Sequence, residues 1–495
     1  MKKYIYIISL LLLTSCTDFL DKNPSKNSQI DITTAEQLDA LLGNYTAFNN
    51  ENNMASYLGT DDSGFDGQLY KAESGIFLHS HVFHSTWDVE GVANDPFERN
   101  WTTEYLKIFY ANLVLDNLSK VSGDENLKES LRREAHFIRA VSYYQLVNMY
   151  TMLDVPNNQK ELGIVIKRTT SFEEKIPRAT LEESYKQIES DLNEALADNS
   201  SIESNGKFRP WRISKTGVKA FAARYYLQKG KYEQALSYAQ QVLSEYSTLV
   251  DYNTEFRYDS KQLIVKTSQG EKRLDMPYTW IASEADIINW KEFLYVRTLY
   301  NGSGWFIPSD ELMNLYDRNY DLRFRYHYVE DYSFFRSAKQ VSKPGYVFFG
   351  MFNIPSGPTV AEMFLIKAEC LVRKGQWAEG MQAMEMLRVK RIETKGYRPL
   401  VVSNASEALK EVLNERRREM PFSMRWFDAR RYNQNSDNTD DVEFTRMFYP
   451  YSISSVDYSK PLQQFKLPKD SRRWANPIPR TEIISSKDVL KQNTY

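Results

Sequence analysis

The sequence predicts an all-α protein, a tetratricopeptide-like helical-repeat scaffold of about four helix pairs with long irregular insertions. Apolar residues recur at spacings of three and four in several stretches, which is the period of a helix with one buried face. Two stretches repeat a helix–glycine–helix pattern, and the segments between the helices are rich in Gly, Pro, Asn, Asp and aromatic residues. Of the 495 residues, 42% are hydrophobic, so the chain can bury a large core.

The chain begins with the pattern of a bacterial secretion signal. Two lysines precede an apolar stretch over residues 4–13, which is far shorter than the roughly 20 residues of a membrane-spanning helix. The stretch ends in the string LTSC, which resembles the lipobox of bacterial lipoproteins. We therefore expect residues 1–15 to be a signal peptide, Cys16 to be the lipidated first residue, and residues 16–30 to be a tether. An ordinary secretion signal with an incidental cysteine is the alternative.

Helical periodicity dominates the chain after the tether. One of the amphipathic stretches opens with Thr180 and Glu183, the spacing of a capping box. The stretches with apolar residues at spacings of three and four are 127–141, 181–195, 232–246 and 360–371.

Two of these regions resemble each other. KGKYEQALSYAQQVL and KGQWAEGMQAMEMLR place a helix end at Gly230 and Gly375, and each has a small residue five positions later, Ala235 or Gly380. A small residue at that point lets two helices cross closely, as in a tetratricopeptide pair. The copies are too far apart for a regular array, so long insertions must separate the helix pairs.

Three segments interrupt the helical pattern: residues 50–101, 247–358 and 433–480. Connections of this length are uncommon unless they carry function. They contain most of the tryptophans, namely Trp87, Trp101, Trp280, Trp290, Trp305 and Trp474.

Composition excludes several functional classes. The formal net charge of −2 gives no positive electrostatic field that would attract a nucleic acid, so we expect no nucleic-acid partner. Two cysteines, Cys16 and Cys370, exclude a disulfide framework and a cysteine-rich metal site, and Cys370 lies in an apolar helix stripe as an inert thiol. The motifs G-x-S-x-G, P-loop and G-x-G-x-x-G are missing, so we expect neither an enzyme nor a cofactor.

Seven strings in the mature chain form a recognisable series. They are, in chain order, CTDFLDKNP, REAHFIRAVSYYQLVNMY, PRATLEESYKQIESDLNEAL, ISKTGVKAFAARYYLQKGKYEQAL, MFLIKAECLVRKGQW, NERRREMPFSMRWFDARRYN and NPIPRTEI. Together these motifs resemble the SusD/RagB family of Bacteroidetes surface lipoproteins. The departures are Ser423 and Met424, where the family has Glu-Gly, and Cys370, where it has alanine.

The resemblance implies one domain over residues 31–495 in a lipid-anchored protein of the outer membrane, exposed at the cell surface. It implies capture of an oligomeric nutrient and delivery to a SusC-like TonB-dependent transporter. We take a glycan as the ligand, with a peptide as the alternative within the same class. A glycan hydrolase with an unrecognised carboxylate pair and a pure scaffold for protein assembly are the alternatives of other classes.

Two groups of side chains are candidates for contacting a glycan. Asp61 and Asp62, in the string GTDDSGFDG, could accept hydrogen bonds from sugar hydroxyls beside Trp87. Together with Asp66 they could instead hold a structural calcium ion or serve as turn and cap residues. The second group consists of aromatic residues, whose rings would stack on pyranose C–H faces or else pack the insertion onto the helices. The four site candidates of this group are Tyr278, Trp280, Trp290 and Trp305, and the wider set adds Tyr295, Tyr300 and Phe306.

Two charged or titratable clusters favour structural interpretations. His79, His81 and His84 could ligate a metal, but no H-E-x-x-H motif accompanies them, so a polar segment is expected. The run from Glu415 to Arg431 mixes both signs at helical spacings, which predicts an ion-pair network, and Asp321 with Arg323 predicts a structural pair.

Overall fold

The computed structural model describes residues 32–171, 173–268 and 270–495, and it is predominantly helical. The predicted signal peptide, Cys16 and the tether lie outside the described residues. The helices of the described chain are α1 (Ala35–Leu42), α2 (Tyr45–Phe48), α3 (Met54–Leu58), α4 (Gly67–Ala72), α5 (Ser80–Thr86), α6 (Val89–Ala93), α7 (Asn100–Asn117), α8 (Glu125–Tyr150), α9 (Leu181–Ala195), α10 (Lys215–Gln228), α11 (Tyr232–Glu245), α12 (Glu284–Ile288), α13 (Asp310–Met313), α14 (Leu322–His327), α15 (Tyr332–Phe335), α16 (Val360–Arg373), α17 (Trp377–Arg388), α18 (Ala405–Glu419), α19 (Arg425–Gln434) and α20 (Arg480–Ser485).

The strands are short and pair in small sheets. The largest of these sheets has three strands, with β6 (Thr298–Tyr300) between β1 (Asn50–Glu51) and β9 (Asn353–Pro355). Strand β6 is parallel to β1 and antiparallel to β9. The others are two-stranded and antiparallel. The strands are β1 (Asn50–Glu51), β2 (Glu203–Ser204), β3 (Lys207–Phe208), β4 (Leu263–Thr267), β5 (Gly270–Leu274), β6 (Thr298–Tyr300), β7 (Tyr328–Val329), β8 (Gly345–Tyr346), β9 (Asn353–Pro355), β10 (Phe444–Phe448) and β11 (Gln463–Leu467).

The long helices form the predicted scaffold. Helix α8 packs between α7 and α9, α10 packs on α11, α11 packs on α16, and α16 packs on α17 and α18. Their apolar stripes bury one continuous core that runs through all of these helices. The all-α, tetratricopeptide-like prediction is thereby confirmed.

Both glycine turns of the repeated pattern have the expected geometry. Gly230 has φ +66° and Gly375 has φ +84°, a left-handed conformation that favours glycine after a helix. At the crossing of α16 and α17, a Cβ added to Gly380 would lie 2.6 Å from Val372 Cγ2. Only a residue without a side chain allows the two helices to approach this closely.

The capping box at the start of α9 is also present. The Glu183 amide donates to Thr180 Oγ1 at 3.2 Å, and the Thr180 amide donates to Glu183 Oε2 at 2.8 Å. These bonds satisfy amides that the first helical turn leaves without partners.

The first two insertions are ordered rather than irregular throughout. Residues 50–101 contain α3, α4, α5 and α6, and residues 247–358 contain four helices and several of the strands. Their aromatic and aliphatic side chains form a second hydrophobic core beside the helical one. Short helices escape prediction because four to seven residues contain too few turns to establish a period.

The arginine-rich segment is an ion-pair network, as predicted. Arg416 binds Asp428 at 2.8 Å and Glu362 at 3.0 Å, and all three side chains are buried. Asp321 and Arg323 pair at 2.8 Å. Arg425, which belongs to the same run, binds Asp61 of the first insertion at 2.7 Å.

Two further expectations concern Cys370 and membrane spans. The Cys370 side chain is fully buried in α16, and burial raises the pKa of its thiol, as expected for an inert core residue. Along the described ranges, each helix is either too short or too polar to cross a bilayer.

Candidate functional site

The two predicted carboxylates bind arginines of the C-terminal helices. Asp61 accepts hydrogen bonds from Nε and Nη2 of Arg425, both at 2.7 Å. Asp62 is fully buried and accepts from Arg417 Nε at 2.6 Å and from the Phe422 amide at 2.8 Å. Burial opposes ionisation of Asp61, but the adjacent guanidinium groups outweigh it and lower its pKa to about 2. These carboxylates hold the first insertion on the helical scaffold, and Asp62 is closed to solvent while both oxygens of Asp61 already accept from Arg425.

Asp66 and His84, two of the residues considered as metal ligands, have structural partners, and His81 is buried. Asp66 caps α4 by accepting the Leu69 amide at 2.8 Å. His84 Nε2 lies 2.9 Å from Asp95 Oδ2 inside the protein, and burial lowers the pKa of His81 to about 4. No cluster of three or more His, Cys, Asp or Glu side chains suited to a metal ion occurs within the described part of the chain.

Three of the candidate tryptophans lie in the interior. Trp87, Trp290 and Trp305 are 5%, 9% and 3% exposed. The indole N–H of Trp87 donates to Gly59 O and that of Trp305 to Pro344 O, each at 2.9 Å. Their burial favours the packing role that was weighed for Trp290 and Trp305, and Trp87 is buried in the same way.

Tyr278 and Trp280 keep part of their rings at the surface. Tyr278 is half-buried beneath the guanidinium of Arg257, whose carbon lies 4.4 Å from the ring centroid. Trp280 is half-buried, donates its indole N–H to Asp259 Oδ2 at 3.1 Å, and meets Phe335 edge-on at 6.0 Å. Trp280 is therefore the predicted tryptophan best placed to contact a ligand.

Trp280 is one end of a surface that we call the ring arc, which consists of Trp280, Phe335, Arg336, Phe352 and Tyr300. All five side chains are half-buried. The Arg336 guanidinium carbon lies 5.9 Å from the Phe335 centroid, and the rings of Phe352 and Tyr300 lie 5.9 Å apart with 33° between their planes. Four aromatic rings and one cation therefore follow each other across the surface of the second insertion.

Gly304 joins the two halves of the ring arc. A Cβ at this position would lie 3.0 Å from Phe352 Cε1 and 3.2 Å from Arg336 Cζ, so both side chains pack directly on the glycine. Its φ of +66° is also left-handed, which makes glycine doubly suited to this turn. A second contact joins the segment that contains Trp280 to the segment that contains Phe352. The Gly350 amide donates to Thr279 O at 3.1 Å.

The three-stranded sheet adds polar groups to the Tyr300 end of the arc. Register places Asn50 opposite Thr298 and Asn353 opposite Tyr300, so these four side chains share one face of the sheet. Thr298 Oγ1 lies 3.1 Å from Asn50 Oδ1 and 3.3 Å from Asn353 Oδ1, and it can donate to either. The amide Nδ2 groups of Asn50 and Asn353 remain as donors at the surface.

Such a surface can bind a sugar chain by two kinds of contact. The flat rings offer apolar faces to pyranose C–H groups, and the amides and the guanidinium offer hydrogen bonds to hydroxyls. Its residues come from both of the first two insertions, and the scaffold helices only support it.

A separate cleft lies on the helical side and shares no residue with the ring arc. It has a volume of about 460 Å³ and a mainly apolar wall. It lies between α7, the segment before α9, and α20, and its apolar wall includes Trp101, Tyr105, Leu106, Phe109, Val165, Ile176 and Leu490.

Two protein-family models match the chain in succession. The first, described as "Starch-binding associating with outer membrane", matches residues 18–227, and the second, described as "SusD family", matches residues 360–495. The chain belongs to the SusD/RagB family. The two matches leave out residues 228–359, which contain all five members of the ring arc.

Individual relatives agree with this membership. SusD-like protein P2 of Formosa agariphila is 26% identical over 278 residues, and the match spans 52% of this chain but about half, 48%, of the relative's length. A SusD superfamily protein of Bacteroides thetaiotaomicron is 18% identical with a TM-score of 0.64, covering 94% of this chain and 100% of that one. A laminarin-binding SusD-like protein is 19% identical with a TM-score of 0.58, covering 93% and 99%. At these identities the solved structures show the shared SusD fold.

Sequence reasoning found two members of the ring arc and missed three. Trp280 was a candidate, and Tyr300 belonged to the wider aromatic set. Phe335, Arg336 and Phe352 were missed because they lie far from Trp280 and Tyr300 along the chain and follow no motif. The asparagine-rich string NNENN at residues 49–53 was the one available signal for the amides of the sheet.

Proposed function

We propose that this SusD/RagB family member captures an oligosaccharide on the ring arc and passes it to a SusC-like TonB-dependent transporter of the outer membrane. The observation that carries the proposal is the continuity of the arc. Four half-buried rings, one guanidinium group and two asparagine amides lie on one surface, although they come from segments about 300 residues apart.

The names of relatives support the glycan as the ligand class. One structural neighbour is a laminarin-binding SusD-like protein, and another, from Bacteroides vulgatus, is a SusD-like carbohydrate binding protein that is 16% identical with a TM-score of 0.60. The arc offers two ring pairs to a sugar chain, Trp280 with Phe335 and Phe352 with Tyr300, and the rings of each pair are about 6 Å apart.

The proposal includes attachment to the membrane through a lipid on Cys16. The lipobox-like string and the outer-membrane description of the first family model support this location. Two or more acyl chains hold a protein to a membrane far better than one chain does. The transporter would then meet the protein in the plane of the outer membrane.

We propose binding without turnover. A glycosidase needs two carboxyl groups about 5 to 9 Å apart across the scissile bond. Asp61 and Asp62, the carboxylates considered for the site, bind Arg425 and Arg417 instead.

Calorimetric titration of the lipid-free chain tests the ligand class and the site together. We expect binding to at least one oligosaccharide of a broad glycan panel and no binding to a peptide digest. Trp280→Ala and Phe352→Ala should each weaken that binding about tenfold, because each removes one stacking face. Phe97→Ala is the matched control, since Phe97 is 51% exposed in the first insertion but lies outside the arc.

The outcomes separate the alternatives. Binding of peptides but not of glycans would favour the peptide alternative, and release of shorter sugars from an incubated glycan would establish a hydrolase. Unchanged affinity in both arc variants would remove the ring arc from the site. Co-purification of the tagged lipoprotein with a TonB-dependent barrel from detergent-solubilised outer membranes tests the transporter.

A further inference from the structure

Arg336 occupies the centre of the ring arc without an anionic partner. Its Nη2 donates to Ser303 O at 2.5 Å, and its Nη1 lies 3.5 Å from the thioether sulfur of Met351. Its Nε is shielded from solvent and has no hydrogen-bond partner. Because a guanidinium carries five N–H donors, most of the hydrogen-bonding capacity of Arg336 is unused.

This arrangement differs from that of the arginines that pair with a carboxylate. Arg391 binds Glu292 at 2.8 Å, and Arg425 binds Asp61 at 2.7 Å. Within the described residues, no carboxylate oxygen lies within 4.0 Å of the Arg336 guanidinium. A half-buried charge whose partners are a carbonyl and a thioether is poorly compensated. An anion would therefore bind more favourably to this guanidinium than to one that already pairs with a carboxylate.

The acidic groups of the same region are engaged elsewhere. Asp331 pairs with Lys272 at 3.1 Å. Glu73 accepts the backbone amides of residues 339–341. Asp259 accepts the indole N–H of Trp280. None of these carboxylates pairs with Arg336, so its guanidinium can bind a negative group on the ligand.

We infer that the ring arc selects oligosaccharides that carry anionic groups, and that Arg336 binds a uronate carboxylate or a sulfate ester while the flanking rings stack on the sugars. This inference rests on the proposed function of the arc. The planar fork of a guanidinium fits two oxygens of a carboxylate or sulfate at once, which a lysine ammonium does not reproduce.

Three oligosaccharides of equal length test the inference by calorimetry: a neutral gluco-oligosaccharide, an oligogalacturonate and a sulfated galacto-oligosaccharide. We expect the wild-type chain to bind at least one of the two anionic ligands about tenfold more tightly than the neutral one, as a charge-assisted hydrogen bond predicts. Comparing the affinities for the oligogalacturonate and the sulfated oligosaccharide distinguishes a preference for a carboxylate from a preference for a sulfate. The preference should weaken at high salt because surface charges are then screened.

Arg336→Gln should abolish the anionic preference, so that the variant binds anionic and neutral oligosaccharides with affinities within about twofold of each other. Arg336→Lys should retain part of the preference, because it keeps the charge and loses the two-oxygen geometry. The matched control is Arg209→Gln, because Arg209 is also half-buried and stacks on a ring, that of Trp211, outside the arc. Circular dichroism spectra of each variant establish that it is folded.

Failure of the inference and failure of the proposed function give different results. Equal wild-type affinity for neutral and anionic oligosaccharides, or an anionic preference that persists in Arg336→Gln, would overturn the inference and leave glycan capture standing. A folded wild-type chain that binds none of the three and none of the broader glycan panel would overturn both.

Discussion

Asp62 and Arg417 are 355 positions apart in the chain, and Asp62 Oδ1 accepts a hydrogen bond from Arg417 Nε at 2.6 Å. The carboxylate side chain is fully buried and the guanidinium is 9% exposed. Through this contact the first insertion is attached to α18, and the surface that both insertions build is held on the scaffold.

Asp62→Ala should therefore destabilise the fold. Arg417 keeps Glu311 at 2.7 Å and Asp61 at 3.3 Å, but it loses its shortest carboxylate contact and the buried Phe422 amide loses its acceptor, which costs about 1–3 kcal/mol of the free energy of unfolding. Urea denaturation followed by circular dichroism measures the change. Lys460→Ala, which removes a surface pair with Asp457 whose side chains are 64% and 41% exposed, is the control and should change little. Equal stability of Asp62→Ala and wild type would contradict a structural role.

Alanine at two tryptophans should separate packing from binding. Trp305→Ala removes a 3% exposed indole from the second core and should lower the free energy of unfolding by about 3–5 kcal/mol. Trp280→Ala removes a half-buried ring and should weaken glycan affinity with a much smaller loss of stability. Thermal unfolding and calorimetric titration of both variants provide the comparison, and a reversed pattern would refute the assignment of these rings.

Stability should fall as the pH decreases from neutrality. His327 is buried between Tyr252 Oη at 3.1 Å and Val347 O at 2.9 Å, and burial lowers its pKa to about 3. In the unfolded chain His327 binds a proton near pH 6.5, whereas in the folded chain it does so only near pH 3. The contribution of His327 to the free energy of unfolding is therefore complete above about pH 6.5 and is lost below it. Between about pH 7.5 and about pH 5, His327 should contribute a loss of about 2 kcal/mol.

Urea denaturation of His327→Gln at both pH values tests this titration. Glutamine lacks the titrating proton, so the decrease in stability between the two pH values should be about 2 kcal/mol smaller than in wild type. His81, whose pKa burial lowers to about 4, should account for a comparable share of the remaining decrease. An identical pH dependence in wild type and His327→Gln would show that the group does not titrate as inferred.

Cys16→Ala should produce a protein without a lipid anchor. Without the thiol no acyl chains can be attached, and the remaining chain has no described helix that could replace them in a bilayer. Detergent phase partitioning and metabolic labelling with a fatty acid detect the loss. Ser15→Ala retains the cysteine and serves as the control. Membrane association of Cys16→Ala in cells that lack the transporter would refute the lipobox interpretation.

The scaffold was predictable because its signals are local. The spacings in α8, α9, α11 and α16, the cap at Thr180 and the turn at Gly375 each depend on residues within a few turns of one another. The ion pair of Asp321 with Arg323 was predictable for the same reason. The partner of Asp62 was not, since charge complementarity within 65 acidic and 63 basic residues allows too many pairings.

The sequence by itself therefore determined the fold class, the helix pairs, their glycine turns and the family membership, because periodicity and backbone conformation are properties of short stretches of chain. Only the tertiary structure decided which aromatic rings are exposed. Trp280 and Trp305 lie in the same insertion, and an apolar residue follows each of them in the sequence. Phe77 stacks on one face of Trp305 at a centroid distance of 5.8 Å, whereas Phe335 and Trp280 meet edge-on. Burial is decided by such long-range contacts, and so was the position of the ring arc.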